Sequence, residues 1–164
     1  MDQYERFREE CVAEVAAQGS DAGFQTVTQE WIDRSMHSKY SYHFEWMGRP
    51  IIQYPQDIVA MQELLFEVKP DLVIETGIAH GGSLILYSSL LALNALYGGP
   101  SDARVVGVDI EIRSHNRAAI EAHPMADRID MIEGSSVDPS VVEQVHRLAE
   151  GRGTVLVCLD SLHS

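Results

Sequence analysis

The chain has few cysteines, few basic residues and no long apolar run, and each shortage excludes a class of protein. Its 164 residues include two cysteines, Cys11 and Cys158, too few for a disulfide framework or a zinc-ligand spacing. Only 12 residues are Lys or Arg against 25 Asp or Glu, and the formal net charge of −13 argues against a nucleic-acid partner. The longest apolar stretch, residues 84–97, is too short to span a bilayer.

The N-terminal sequence, MDQYERFREE, is acidic and polar and does not resemble a secretory signal. We therefore expect a cytoplasmic protein with no membrane span. An apolar content of 45% indicates a globular chain with a core. Together with the negative charge, this composition favours a small-molecule partner.

Strand-like and helix-like segments alternate in the second part of the chain. Residues 1–18 have helical spacing, residues 19–54 are less regular, and a helix is expected from Pro55 to about Val68. The apolar segments LVIE, RVVGVD, RIDMIEG and TVLVCLD then alternate with three helical segments. This pattern predicts an α/β fold with a mostly parallel sheet covered on both faces. We expect an N-terminal extension over residues 1–54 and a ligand-binding domain over residues 55–164.

An acid or small polar residue follows each predicted strand. These residues are Glu75, Asp109, Glu133 with Ser135 and Ser136, and Asp160. Ligands of open α/β sheets bind at the carboxyl ends of the strands, near the point where the strand order reverses. The sequence therefore predicts a ligand site among these residues.

The turn after the first strand of this sheet reads ETGIAHGGS, from Glu75 to Ser83. It lacks the lysine of a phosphate-binding loop and the spacing of a GxGxxG fingerprint. An acid at the strand end suits a cationic ligand, and Asp109 is placed to accept hydrogen bonds from a ribose. S-adenosylmethionine, a nucleoside with a positively charged amino-acid tail and no phosphate, fits both features. Alternatively, the glycines only shape a tight turn.

Four segments resemble the cephalosporin hydroxylase family: residues 40–85 (YSYHFEWMGRP through GGSLI), then VVGVDIEIRSHNRAAIEAHP, IEGSSVDP and LDSLHS. This family consists largely of S-adenosylmethionine-dependent O-methyltransferases that act on sugars, polysaccharides and antibiotics. The resemblance implies a Rossmann-like class I methyltransferase fold with a helical N-terminal extension. It also implies a saccharide or other small-molecule hydroxyl acceptor and a homo-oligomer.

The resemblance also implies roles for individual residues. Asp109 would hold the ribose, and Asp160 would bind Mg²⁺ and take part in catalysis. His163 would be the general base. The rest of the cofactor site would comprise Glu75, Gly77, Gly81 and Ser83 on the methionine side, with Gly134, Ser135 and Ser136 beside the adenine.

The sequence departs from the family where it stops, soon after the fourth predicted strand. A Glu-Asp pair that completes the metal site in related enzymes is absent, so we expect a fold truncated after that strand and part of a longer chain. Mg²⁺ would then need ligands beyond residue 164. Two other functions stay open: a non-catalytic cofactor-binding or assembly module, and an iron oxygenase, although no HxD motif occurs. The bare strand edge and the aromatic segment around Trp46 also favour self-association.

Overall fold

The computed structural model describes residues 2–161, which form two compact units, residues 2–40 and residues 41–161. The first unit contains two helices, α1 (Gln3–Ser20) and α2 (Ala22–His37). Asp2 and Glu5 form a capping box at the start of α1. The carboxylate of Asp21 accepts hydrogen bonds from the first backbone N–H groups of α2. The expectation of less regular structure over residues 19–54 is therefore wrong for Ala22–His37, which form a helix.

The second unit opens with a hairpin that is separate from the main sheet. A 3₁₀ turn, Tyr40–His43, precedes strands β1 (Phe44–Trp46) and β2 (Arg49–Ile51), which pair antiparallel. Met47 and Gly48 connect them, both with positive φ, as a tight two-residue hairpin turn requires. This hairpin belongs to the compact unit of residues 41–161. The domain boundary expected at residue 54 stays a prediction.

The predicted helix from Pro55 and the alternation that follows it are confirmed. The elements are α3 (Pro55–Val68), β3 (Leu72–Thr76), α4 (Gly82–Leu96), β4 (Arg104–Asp109), α5 (Ser114–Glu121), a 3₁₀ turn (Ala126–Arg128), β5 (Ile129–Glu133), α6 (Pro139–Ala149) and β6 (Val155–Leu159). Proline stands at the first position of both α3 and α6, where its missing N–H costs no helical hydrogen bond.

The main sheet has four parallel strands in the order β5-β4-β3-β6. Counted along the chain within this sheet, that order is third, second, first, fourth, which is the order of a Rossmann-like half-sheet. The direction of winding reverses between β3 and β6. Their carboxyl ends therefore border the crevice where such sheets bind ligands.

Both faces of the sheet carry buried apolar clusters. On one face, α4 packs against the sheet with α3 and α5, and its residues Leu84, Ile85 and Leu86 have no accessible surface. A helix that is apolar on all sides is expected to be buried in this way. On the other face, α6 covers a smaller cluster that includes Leu72 and Val106. No helix among residues 2–161 is both long enough and apolar enough to cross a membrane.

Candidate functional site

A cleft of about 830 Å³ lies at the carboxyl edge of the sheet. The hairpin, the turn after β3 and the loops after β4, β5 and β6 contribute to its walls. The structure brings seven of the predicted site residues to this cleft: Gly77, Gly81, Ser83, Asp109, Ser135, Ser136 and Asp160. Gly134 lines it as well. His163 lies outside the described residues.

The glycines of the turn are required by close contacts within the chain. Gly77 has φ +98°, and a Cβ there would collide with the backbone carbonyl of Asp160. A Cβ at Gly82 would collide with the backbone carbonyl of Pro50 in the hairpin. Gly81 has φ +81°, a left-handed conformation that favours glycine. At Gly77 and Gly82 the tight-turn explanation therefore accounts for glycine without a ligand.

Asp109, at the end of β4, anchors the turn that follows β3. Its Oδ2 accepts hydrogen bonds from the backbone N–H of Ile78 at 2.7 Å and of Ala79 at 3.3 Å. Its Oδ1 accepts one from the N–H of Glu111 at 3.2 Å. A carboxylate offers about four lone-pair sites. Acceptor capacity for a ligand hydroxyl therefore remains beside the turn.

Glu75, at the end of β3, is fully buried and does not line the cleft. The hydroxyls of Ser83 and Tyr87, both on α4, donate to its two carboxylate oxygens at 2.6 and 3.0 Å. Burial raises the pKa of Glu75 to about 8, although these two hydrogen bonds act in the opposite direction. In the structure the carboxyl fixes the first turns of α4, and its predicted contact with a cofactor stays a prediction.

Two buried oxygens beside the cleft have no hydrogen-bond partner within residues 2–161. They are Oε1 of Gln53 and Oγ1 of Thr76, and both residues line the cleft. Buried acceptors without partners carry a desolvation cost that a donor from a ligand would remove. Gln53 also lies beside the hydroxyl of Tyr87, whose pKa is raised by burial and by the neighbouring Glu75.

A family model described as Rhamnosyl O-methyltransferase/CmcI matches residues 38–164. The chain belongs to this family. The resemblance to the cephalosporin hydroxylase family is thereby confirmed. The matched range begins near the hairpin and contains every predicted site residue.

Curated relatives carry the name of the same family. A rhamnosyl O-methyltransferase of Mycobacterium leprae is 34% identical over 120 residues, which are 73% of this chain and 48% of the relative. One from Mycobacterium tuberculosis strain H37Rv is 30% identical over 123 residues, 73% of this chain and 45% of the relative. The chain therefore spans about half the length of the curated relatives it matches.

Solved structures of CmcI share the fold. An apo structure superposes with a TM-score of 0.54 at 20% identity, and the alignment covers 75% of this chain and 47% of the CmcI chain. A structure described as containing Mg-SAM gives a TM-score of 0.53 at 19% identity, with coverages of 73% and 47%. These likenesses confirm the predicted Rossmann-like class I methyltransferase fold.

The magnesium site that membership of the Rhamnosyl O-methyltransferase/CmcI family suggests is not assembled by the described residues. Among residues 2–161, no three His, Cys, Asp or Glu side chains come together as a metal site would require. Asp160 is exposed at the cleft, whereas Glu75 is buried with Ser83 and Tyr87, and Asp109 holds the turn. Of the carboxylates that line the cleft, Asp109 is already bound to the turn, and Asp160 has too few converging neighbours to supply the oxygen ligands that Mg²⁺ takes.

Two residues of the site, Arg49 and Asn116, were missed by the sequence analysis. Arg49, on β2, donates to the backbone carbonyl of His80 through Nε at 3.0 Å and also through Nη2. Asn116, on α5, donates to the carbonyl of Ala79 at 2.9 Å. The only local signal was the Met47-Gly48 hairpin turn. It could have placed Arg49 on a strand, but it could not have identified the residue that Arg49 contacts.

The aromatic segment before α3 packs against the second unit's core. Phe44 and Trp46 contact the buried cluster around α4, and the Trp46 indole N–H donates to Oγ of Ser89 at 3.0 Å. Tyr42 is more than half exposed and borders the cleft. Phe44 and Trp46 are therefore part of the core of the second unit.

Proposed function

We propose that this chain binds S-adenosylmethionine and provides the cofactor-binding part of an O-methyltransferase that acts on a saccharide or related small-molecule hydroxyl. The observation that carries the proposal is the position of the cleft. It lies at the carboxyl edge of the sheet, where the winding reverses between β3 and β6, and its lining includes the turn after β3, Asp109 and Asp160. Curated relatives named rhamnosyl O-methyltransferase support the reaction class.

The donors and acceptors around the cleft fit this cofactor better than a diphosphate. Asp109 and Asp160 give the cleft a negative character, and the turn has no lysine. A sulfonium and an ammonium are attracted by such carboxylates, whereas phosphates are repelled. The partnerless oxygens of Gln53 and Thr76 are acceptors for an ammonium or hydroxyl of the ligand. Two CmcI structures, described as containing SAH and Mg-SAM, support the assignment.

Methyl transfer needs a hydroxyl oxygen held in line with the sulfonium methyl group. When bound, the cofactor supplies an electrophilic methyl group and leaves as S-adenosylhomocysteine. We assign His163 as the general base that takes the proton of the acceptor hydroxyl, and Asp160 as the residue that orients the acceptor, as family membership suggests. Mg²⁺ assistance would need carboxylates in addition to Asp160.

The cytoplasmic location expected from the sequence stays a prediction.

The first prediction concerns cofactor binding by Asp109. The wild-type chain should bind S-adenosylhomocysteine in calorimetry, and Asp109→Ala should weaken binding at least about tenfold, because both a ligand acceptor and the anchor of the turn are lost. Asp109→Asn keeps one acceptor oxygen, so it should bind with intermediate affinity. Asp130→Ala, which removes an equal charge from β5 outside the cleft, is the matched control.

Equal affinities of Asp109→Ala and the wild type would contradict the ribose assignment. No binding by the folded wild-type chain would contradict the proposed function as a whole. Binding without turnover, measured with rhamnosyl acceptors, would favour the alternative of a non-catalytic cofactor-binding or assembly module.

We further propose that the chain forms a homodimer through β6. This strand pairs with β3 on one side and, among residues 2–161, with no strand on the other. It contains no charge and no proline, and its residues Val155, Val157 and Leu159 are exposed. Edge strands in proteins are normally protected by charges, prolines or bulges. Antiparallel pairing with a second copy would place Val157 beside its own symmetry mate.

Light scattering should therefore give a dimer mass at micromolar concentration. Val157→Lys should give a monomer, since it sets two like charges opposite each other. Val59→Lys, at an exposed position on α3, should leave the dimer intact. A monomeric wild-type chain, or an equal response of the two variants, would contradict pairing through β6.

A further inference from the structure

The turn between β3 and α4 is held by side chains from three other parts of the chain. Asp109, at the end of β4, accepts the N–H groups of Ile78 and Ala79. Asn116 on α5 donates to the carbonyl of Ala79, and Arg49 on β2 donates to the carbonyl of His80. The two successive carbonyls of the turn are thus both bound by side chains outside it.

Arg49 and Asn116 are also bound to each other. Nη2 of Arg49 donates to Oδ1 of Asn116 at 3.1 Å, so the amide of Asn116 accepts from Arg49 while it donates to the turn. Asn116 is only 3% exposed. Because a buried amide left without partners costs free energy, this network is stable only when all of its members are in place.

The backbone conformation of the turn is one that needs such support. Ala79 has φ +46°, in the left-handed region that an alanine rarely adopts, and Gly77 and Gly81 also have positive φ. Peptide planarity means that a fixed carbonyl of Ala79 also fixes the direction of the N–H of His80. Strained turns persist where the surrounding structure holds them, and they cluster at ligand sites.

We propose that Arg49 and Asn116 are positioning residues, which hold the turn of residues 77–82 in the conformation that receives the cofactor. This inference rests on the proposed function. In this proposal the hairpin contributes to the cofactor site, because Arg49 on β2 donates to the turn and Pro50 packs on Gly82. Neither residue needs to touch the ligand. Their effect is that the turn is ordered before binding, so that binding does not have to bear the cost of ordering it.

The experiment measures S-adenosylhomocysteine affinity by calorimetry on the purified 164-residue chain. Arg49→Met removes the charged donor and keeps most of the side-chain volume, and it should weaken binding about tenfold. Asn116→Ala should weaken binding to a similar extent. The double variant should be little worse than either single one, because the two residues form one network. Arg49→Lys, which keeps a donor but not the two-nitrogen contact, should recover part of the affinity.

Two controls separate positioning from general stability. Trp46→Phe removes the bond from the same hairpin to Ser89, and Arg117→Met removes the ion pair of α5 with Glu133. Trp46→Phe should lower the thermal midpoint, Arg117→Met should lower it only slightly because its ion pair is partly exposed, and both should leave the affinity within about twofold of the wild type. Hydrogen exchange of the turn amides without ligand should accelerate in Arg49→Met and Asn116→Ala, and not in the controls.

Wild-type affinity in folded Arg49→Met and Asn116→Ala would overturn the inference and leave the proposed function intact. The inference would also be overturned if the controls lost as much affinity as the two variants. Should the wild-type chain itself not bind S-adenosylhomocysteine, the proposed function fails and this inference fails with it.

Discussion

Replacement of Gly77 by alanine is expected to lower the free energy of unfolding by about 2–5 kcal/mol. Two costs add at this position. The left-handed φ of +98° is unfavourable for any residue with a Cβ, by about 1–2 kcal/mol. The new Cβ would also collide with the carbonyl of Asp160, and because the obstacle is backbone, the carboxyl ends of β3 and β6 would have to separate. Overpacking of this kind costs about 1–3 kcal/mol.

Gly98→Ala is the matched control, since it separates the collision from the conformational cost. Gly98 has φ +78°, yet nothing lies within 4 Å of where its Cβ would be. It should lose only about 1–2 kcal/mol. Equilibrium urea denaturation followed by far-UV circular dichroism measures both variants. Equal losses for Gly77→Ala and Gly98→Ala would show that the contact with Asp160 does not constrain the turn.

Substitution of Glu75 by glutamine is expected to remove a large pH dependence of stability. The carboxyl has an ordinary pKa of 4.5 when exposed and a pKa of about 8 in the folded chain, chiefly because it is buried. Between these values the unfolded chain has released the proton and the folded chain still holds it. Rising pH therefore stabilises the unfolded state through this group, and the loss levels off above pH 8, where both states are ionised.

Relative to Glu75→Gln, the wild type should lose unfolding free energy on the order of 4 kcal/mol from pH 4.5 to pH 8. Glutamine keeps the shape and can still bond with Ser83 and Tyr87 without taking a charge. Glu133→Gln, at an exposed strand end, should follow the wild-type pH profile. Parallel profiles for Glu75→Gln and the wild type would show that Glu75 titrates as an exposed carboxyl does.

Much of the fold could be predicted because it is encoded in local periodicity. The strands of the parallel sheet are short apolar runs such as RVVGVD, and two of the three helices between them, α4 and α6, begin at glycine or proline. The second helix, α2, was missed because its sequence mixes Gly23 with β-branched residues, which weakens the helical pattern. Its capping residue, Asp21, was the signal that could have identified it.

The candidate site was predicted in part. Residues at or directly after strand ends, including Gly77, Asp109 and Asp160, lie together because parallel strands end at one edge of a sheet. The direction of a side chain at such a position could not be predicted. Glu75 is the last acid of β3 as Asp109 is of β4, yet it lies on the face covered by α4 and is buried with Tyr87.

The sequence by itself determined the alternation of strands and helices, the edge of the sheet where a ligand would bind, and membership of the Rhamnosyl O-methyltransferase/CmcI family, because these depend on neighbouring residues and their order. Only the tertiary structure decided why Gly77 and Gly82 are glycine and what Arg49 does. Arg49 contacts residues 31 and 67 positions away, and a Cβ at Gly82 would meet Pro50, over 30 residues earlier in the chain. Contacts at such separations arise from packing, which local periodicity does not specify.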